Sequence, residues 1–146
     1  MSTINIINGP NLNEVGIRET SVYGKANLNQ YLNKLKEENF EINIEIFQSN
    51  HEGEIIQHLQ KIKDSSLGII INPAAYTHTS IGIRDALAIQ SCPIIEIHIS
   101  KISDREDFRH TSLMKDYAWS YIEGYGIDGY RIALERIKEL SAIKSR

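Results

Sequence analysis

Glu96 and His98 stand two residues apart in an otherwise apolar run, Ile94-Ile-Glu-Ile-His-Ile, so in an extended chain both side chains leave the same face. A carboxylate buried on such a face needs a partner, and an imidazole beside it is oriented and charged for general acid or base work. The competing reading is a satisfied core pair. Arg18 and Tyr23, five residues apart, form a second combination. A nearby guanidinium favours the phenolate, which lets a tyrosine act as a base at neutral pH.

The third group surrounds Asn72-Pro-Ala-Ala-Tyr-Thr-His-Thr-Ser, where Asn72, His78 and several hydroxyls are concentrated. Asn8 and Asn11 flank Gly9-Pro10, and Arg105, Arg109 and His110 follow Ser100. Amides, hydroxyls, histidines and arginines together suit a small, oxygen-rich, anionic molecule. Each asparagine alone reads equally as a turn former bonding its own backbone. His51, Glu52 and His58 lack His-Glu-x-x-His spacing and lie along a solvated helix, so no metal is expected. Gly9, Gly16 and Gly24 do not form Gly-x-Gly-x-x-Gly, and no Walker loop is present, so no nucleotide cofactor is expected. Cys92, the single cysteine, excludes an internal disulfide and reads as packing before Pro93.

The elements that must position these groups follow from the apolar pattern. Ile69, Ile70 and Ile71 form a run without alternation, as in a strand covered on both faces, and Asn72-Pro73 ends it. Thr77, Thr79 and Ser80 offer caps for a helix carrying Ile81, Ile83, Ala86 and Leu87. Residues 3–8 read as the first strand, closed by Gly9-Pro10, and residues 11–24 as a long loop with no apolar stripe to pin it, free to close as a lid. Asn27 caps a helix with Leu28, Tyr31, Leu32 and Leu35 at helical spacing. Strict alternation over 41–48 predicts a strand near the sheet edge. Ser49-Asn-His-Glu reads as a capping box for a helix with Ile55, Ile56, Leu59 and Ile62. Strands at 93–99 and 118–123, and a last helix with Tyr130, Ala133, Leu134, Ile137 and Leu140, complete an α/β pattern.

That pattern predicts a doubly wound parallel five-stranded sheet, flavodoxin-like, with order 2-1-3-4-5, in a single domain spanning 1–146. The ends of the first, third and fourth strands then meet at one rim, where ligands bind in open α/β sheets. Hydrophobic residues at 41% and charged residues at 24% are ordinary for a globular chain. A net charge of −3 gives no reason to expect nucleic acid or a membrane surface as partner. The start lacks a basic-then-apolar leader and no apolar run approaches a membrane span, so the expected compartment is the cytoplasm.

In order and spacing, Asn8-Gly-Pro-Asn-Leu-Asn, Gly16-Ile-Arg-Glu, Val22-Tyr-Gly, Gln48-Ser-Asn-His-Glu-Gly, Asn72-Pro-Ala-Ala-Tyr-Thr-His-Thr-Ser, Arg84-Asp-Ala, Ile95-Glu-Ile-His-Ile-Ser, Arg105-Glu-Asp-Phe-Arg and Gly129-Tyr resemble the blocks of the type II 3-dehydroquinate dehydratases. The resemblance implies a flavodoxin-like fold, no cofactor or metal, and loss of water from 3-dehydroquinate to give 3-dehydroshikimate in the shikimate pathway of aromatic amino acid biosynthesis. It implies that Tyr23 takes the C2 proton with Arg18 lowering its pKa, that a water near Asn11 stabilises the enolate, and that His98, positioned by Glu96, protonates the departing C1 hydroxyl. Asn72, His78, Ile99, Ser100 and Arg109 are implied as substrate contacts, and Asp85 as a residue reaching a neighbouring subunit's site in a homododecamer of trimers. Ala74 stands where the family usually has glycine, and Glu14-Val15 where it has a more apolar pair. A non-catalytic flavodoxin-like module binding a flavin or another small anion is the competing reading.

Overall fold

The computed structural model describes residues 3–16 and 27–144, and side chains as far as residue 141. Five parallel strands form one sheet in the order β2-β1-β3-β4-β5. They are β1 (Thr3–Asn8), β2 (Asn43–Gln48), β3 (Ser66–Asn72), β4 (Ile94–His98) and β5 (Ser120–Glu123). The helices are α1 (Leu28–Glu38), α2 (Glu52–Ile62), α3 (Ile81–Ala88) and α4 (Gly129–Lys144). This is the order that the strand pattern predicts, with the alternating strand β2 at one edge.

Side-chain alternation divides the core in two. Ile4, Ile6, Ile44, Ile70, Ile95 and Ile97 pack under α1 and α4, with Leu28, Leu32, Leu35, Tyr130 and Ile137. Ile7, Ile69, Ile71 and Ile94 pack under α2 and α3, with Ile55, Leu59, Ile83 and Leu87. Burying an isoleucine contributes about 1.5–3 kcal/mol, so the fully buried isoleucines of β1 and β3 anchor the strands whose ends carry Asn8 and Asn72. Beyond those ends the two strands stay in contact: Gly9 N–H donates to Asn72 O at 2.8 Å. A Cβ at Gly9 would lie 2.3 Å from Pro73 O, so only glycine allows that approach.

Several local expectations change. Leu12 and Val15 are buried and Leu12–Glu14 is a 3-10 turn, so the beginning of the predicted loop is pinned to the core. Ile81 is 64% exposed, because it opens α3 on its solvent side, and the buried stripe is Ile83, Ala86 and Leu87. Ser80 alone caps α3, accepting from Ile83 N–H at 2.9 Å. The capping box does not form: the helix starts two residues later than that motif needs, with His51 at its cap. Ser49 Oγ accepts from His51 N–H and donates to Glu54. Cys92 packs against the α2–α3 cluster.

Candidate active site

β4 presents Ile95 and Ile97 to the α1–α4 layer, which turns Ile94, Glu96 and His98 to the other face. Glu96 is fully buried and His98 nearly so. His98 Nε2 lies 2.6 Å from Glu96 Oε2. The same carboxylate oxygen accepts from Thr77 Oγ1 at 2.7 Å, and Ser112 Oγ donates to the carboxylate at 2.7 and 2.8 Å. A buried carboxylate is tolerated when donors replace its lost hydration, and here there are three. The Tyr121 ring leans against His98, centroids 5.7 Å apart and planes tilted by 48°. Burial, and then the Glu123 carboxylate bonded to its hydroxyl at 3.0 Å, raise the Tyr121 pKa far above the ordinary phenol value. Tyr121 therefore stays protonated and is no candidate base.

His98 forms part of the wall of a cavity of about 200 Å³ at the carboxyl ends of β1, β3 and β4. Asn11, Asn72, His78, Ile99, Ser100 and Arg109, all expected at the site, line the same cavity. Glu96 stands behind His98, outside the lining. Glu14, Ala74, Ala75 and Arg105 also face the cavity, so the departures Glu14 and Ala74 lie at the site itself. Asp85 is exposed on α3 and absent from the lining. Arg18 and Tyr23 lie outside the described residues, as does most of the predicted lid.

Asn11 has a left-handed backbone, φ 69° and ψ −1°, a conformation asparagine tolerates better than most residues. Its N–H donates to Asn50 Oδ1 at 3.0 Å, and Gln48 Nε2 donates to the same oxygen at 3.1 Å and to Gly9 O at 3.2 Å. Tyr76 donates to Asn50 O at 2.8 Å. The block read as a capping box thus holds the turn that presents Asn11. The signal available in the sequence was a pair of side-chain amides, Gln48 and Asn50, at the end of a strand.

Asn72 is held from both ends of its amide. Its Oδ1 accepts from Ala74 N–H at 3.1 Å, and its Nδ2 donates to Tyr130 Oη at 3.3 Å. Tyr130 in turn donates to Asn8 Oδ1 at 2.6 Å. Asn8 is buried and serves this network, not the cavity wall. The Asn72–Ala74 turn leaves Ala74 at φ 54°.

His78 Nδ1 lies 2.8 Å from Thr111 O, which makes Nδ1 the protonated nitrogen and turns Nε2 into the acceptor. Burial, opposed by that carbonyl, holds its pKa below the ordinary histidine value, so the ring is neutral near pH 7. Arg109 Nε donates to Glu106 Oε1 at 3.0 Å, and its guanidinium stands 5.2 Å from the Phe108 ring centroid. Among the described residues no group of three or more histidine, cysteine or acidic side chains is placed to hold a metal ion. His58 stacks on Phe47, centroids 4.1 Å apart, away from His51.

The family model for dehydroquinase class II matches residues 2–138. The 3-dehydroquinate dehydratase of Prochlorococcus marinus subsp. pastoris is 50% identical over 143 residues, covering 96% of this chain and 97% of that protein. The type II dehydroquinase of Butyrivibrio crossotus superposes with a TM-score of 0.88 at 42% identity, covering 94% of this chain and 97% of that one. The type II dehydroquinase of Propionibacterium acnes gives the same TM-score at 35% identity, covering 94% and 96%.

Proposed function

The chain belongs to the type II 3-dehydroquinate dehydratases, which are hydro-lyases, and from that premise we propose that it dehydrates 3-dehydroquinate through an enolate, with Tyr23 as base and His98 as acid. The Tyr23 phenolate takes the C2 proton, and the electron pair moves onto the C3 carbonyl oxygen. A water near Asn11 stabilises that enolate. As the carbonyl re-forms, the C1–C2 double bond closes and the C1 hydroxyl leaves with a proton from His98. Returning the proton from the Tyr23 phenol to His98 resets the site, with one water released.

The observation that carries this reading is the His98–Glu96 hydrogen bond of 2.6 Å at the wall of a polar cavity. With Nε2 occupied by Glu96, the other ring nitrogen remains for the substrate. Support for Tyr23 comes from the family blocks around Arg18 and Tyr23, together with the disqualification of Tyr121 by its raised pKa. Asn72, His78, Ile99, Ser100 and Arg109 are assigned to the substrate's hydroxyl and carboxylate oxygens, which their amides, backbone and guanidinium suit.

The same proposal includes a role in the shikimate pathway, a cytoplasmic location, one catalytic domain, and assembly of trimers into a dodecamer. No described helix is long and apolar enough to cross a membrane. Asp85 is assigned to a neighbouring subunit's site, a reading supported by its exposure and its place outside its own chain's cavity. Purified protein mixed with 3-dehydroquinate tests the function directly. The conjugated enone of the product absorbs in the ultraviolet, so a steady rise is expected, and a flat trace together with a yellow, flavin-bearing protein would favour the binding-module reading.

A further inference from the structure

We propose that Ser112 and Thr77 are positioning residues for the acid step: their hydroxyls clamp the Glu96 carboxylate against His98, and so join the cavity wall to the proton donor. This rests on the assignment of His98 above. Glu96 is fully buried, yet no lysine or arginine is bonded to it among the described residues. Its carboxylate depends on His98 and these two hydroxyls.

The two hydroxyl oxygens lie 3.3 Å apart, and both stand closer to the Glu96 carboxylate than to each other. Ser112 Oγ accepts from Met114 N–H at 3.1 Å, so its own proton is free to point at Glu96, 2.7 and 2.8 Å from the two oxygens. Thr77 is fully buried and donates to Oε2, the oxygen that His98 Nε2 shares. With both donors present, the carboxylate is held on both oxygens, Oε2 by Thr77, Ser112 and His98 and Oε1 by Ser112. Without them a buried acceptor is left short of donors, and the carboxylate loses the contacts that fix its direction towards His98.

Both hydroxyls belong to segments that also line the cavity. Thr77 immediately precedes His78, and Ser112 follows Arg109 by three residues. Leu113 N–H donates to Thr77 O at 2.8 Å, and His78 bonds Thr111 O, so the two segments are stitched together beside Glu96.

The test is steady-state kinetics on Ser112→Ala, Thr77→Val and the double variant, together with Ser112→Thr and each hydroxyl deletion in a His98→Ala background. General acid catalysis contributes about 10²–10⁴-fold, and losing its positioning should remove a share of that, roughly tenfold or more in kcat with KM changed by less than about threefold. Ser112→Thr, which keeps the donor, should recover most of the loss. In the His98→Ala background the deletions should cost nothing further, because they act through His98. If Ser112→Ala fails to fold, Ser112→Cys, a weak donor of similar shape, is measured in its place. Unimpaired kcat in the double variant, with an active parent enzyme, overturns this inference alone, as does an equal additional loss in the His98→Ala background. A parent enzyme inert towards 3-dehydroquinate overturns the functional reading with it.

Discussion

Tyr130, on the last helix, receives the Asn72 amide at 3.3 Å through a phenol that lies 58 residues away in the chain. Its hydroxyl also donates to Asn8 at 2.6 Å, so one fully buried side chain ties the ends of β1 and β3 together beneath the cavity. Burial raises its pKa well above the usual phenol value, which keeps the proton in place for donation. Tyr130→Phe leaves Asn8 Oδ1 without that donor and Asn72 Nδ2 without that acceptor. A buried group so stranded costs about 1–3 kcal/mol, so the melting temperature should fall by several degrees, with a rise in KM from the loosened Asn72. Calorimetry and steady-state kinetics check both, and an unchanged melting temperature and KM would remove Tyr130 from the site's framework.

Ala74 occupies a left-handed conformation, φ 54°, where a Cβ costs about 1–2 kcal/mol. Ala74→Gly removes that strain and returns about 0.4–1 kcal/mol through the freer unfolded chain. The net expectation is a stabilisation of up to about 1.5 kcal/mol, seen in a denaturant titration. A clear loss of stability would mean that the methyl group's packing against the α1–α4 core outweighs the strain.

His58 stacks on Phe47 with its Nε2 buried and without a hydrogen-bond partner among the described residues. Burial, and then Lys61, hold its pKa below the ordinary value, so the folded protein binds fewer protons than the unfolded chain just below about pH 6.5. The stability due to neutral His58 is complete above that pH and is lost as the pH falls through it. His58→Phe keeps a stacked ring and cannot titrate. Its melting temperature should decline less than the parent's between about pH 7 and about pH 5, and parallel declines would exclude His58 as a contributor.

Much of this architecture was legible in the sequence because buried parallel strands write themselves as isoleucine runs. Ile69 to Ile71 located the central strand, the alternation of Ile42, Ile44 and Ile46 located the edge, and Asn27 located the start of α1. Long-range polar partners were not legible, because no local period encodes them. Thr77 read as a helix cap, whereas its hydroxyl bonds Glu96, 19 residues on. Tyr130 read as one apolar position of a helical stripe, and Asn50 as part of a cap. Tyr130 acts through a hydrogen bond to a distant strand end, and Asn50 through one to the turn that follows β1. Ile81 misled for the opposite reason: its apolarity suggested the core, but the helix phase turns it to solvent.

The proposed base can be separated from its activator by pH. A free tyrosine has a pKa of about 10, and a unit charge about 4 Å away is worth roughly 4 kcal/mol at an effective dielectric of about 20, ample for a shift of one or two units. Arg18→Ala should therefore leave a low kcat that recovers as the pH rises, since the phenolate forms later but still forms. Tyr23→Phe should abolish proton abstraction at every pH while substrate binding persists. Substantial activity in Tyr23→Phe would transfer the base to another group, His78 with its neutral ring being next in line.

The central claim is that proton abstraction and hydroxyl departure are served by different residues, with His98 confined to the second. The direct measurement is exchange of the C2 hydrogen of 3-dehydroquinate with deuterated solvent in His98→Ala, followed alongside turnover. Loss of a general acid costs about 10²–10⁴-fold, so turnover should collapse by that order while C2 exchange continues, because abstraction comes first. Exchange that disappears in step with turnover would contradict the account.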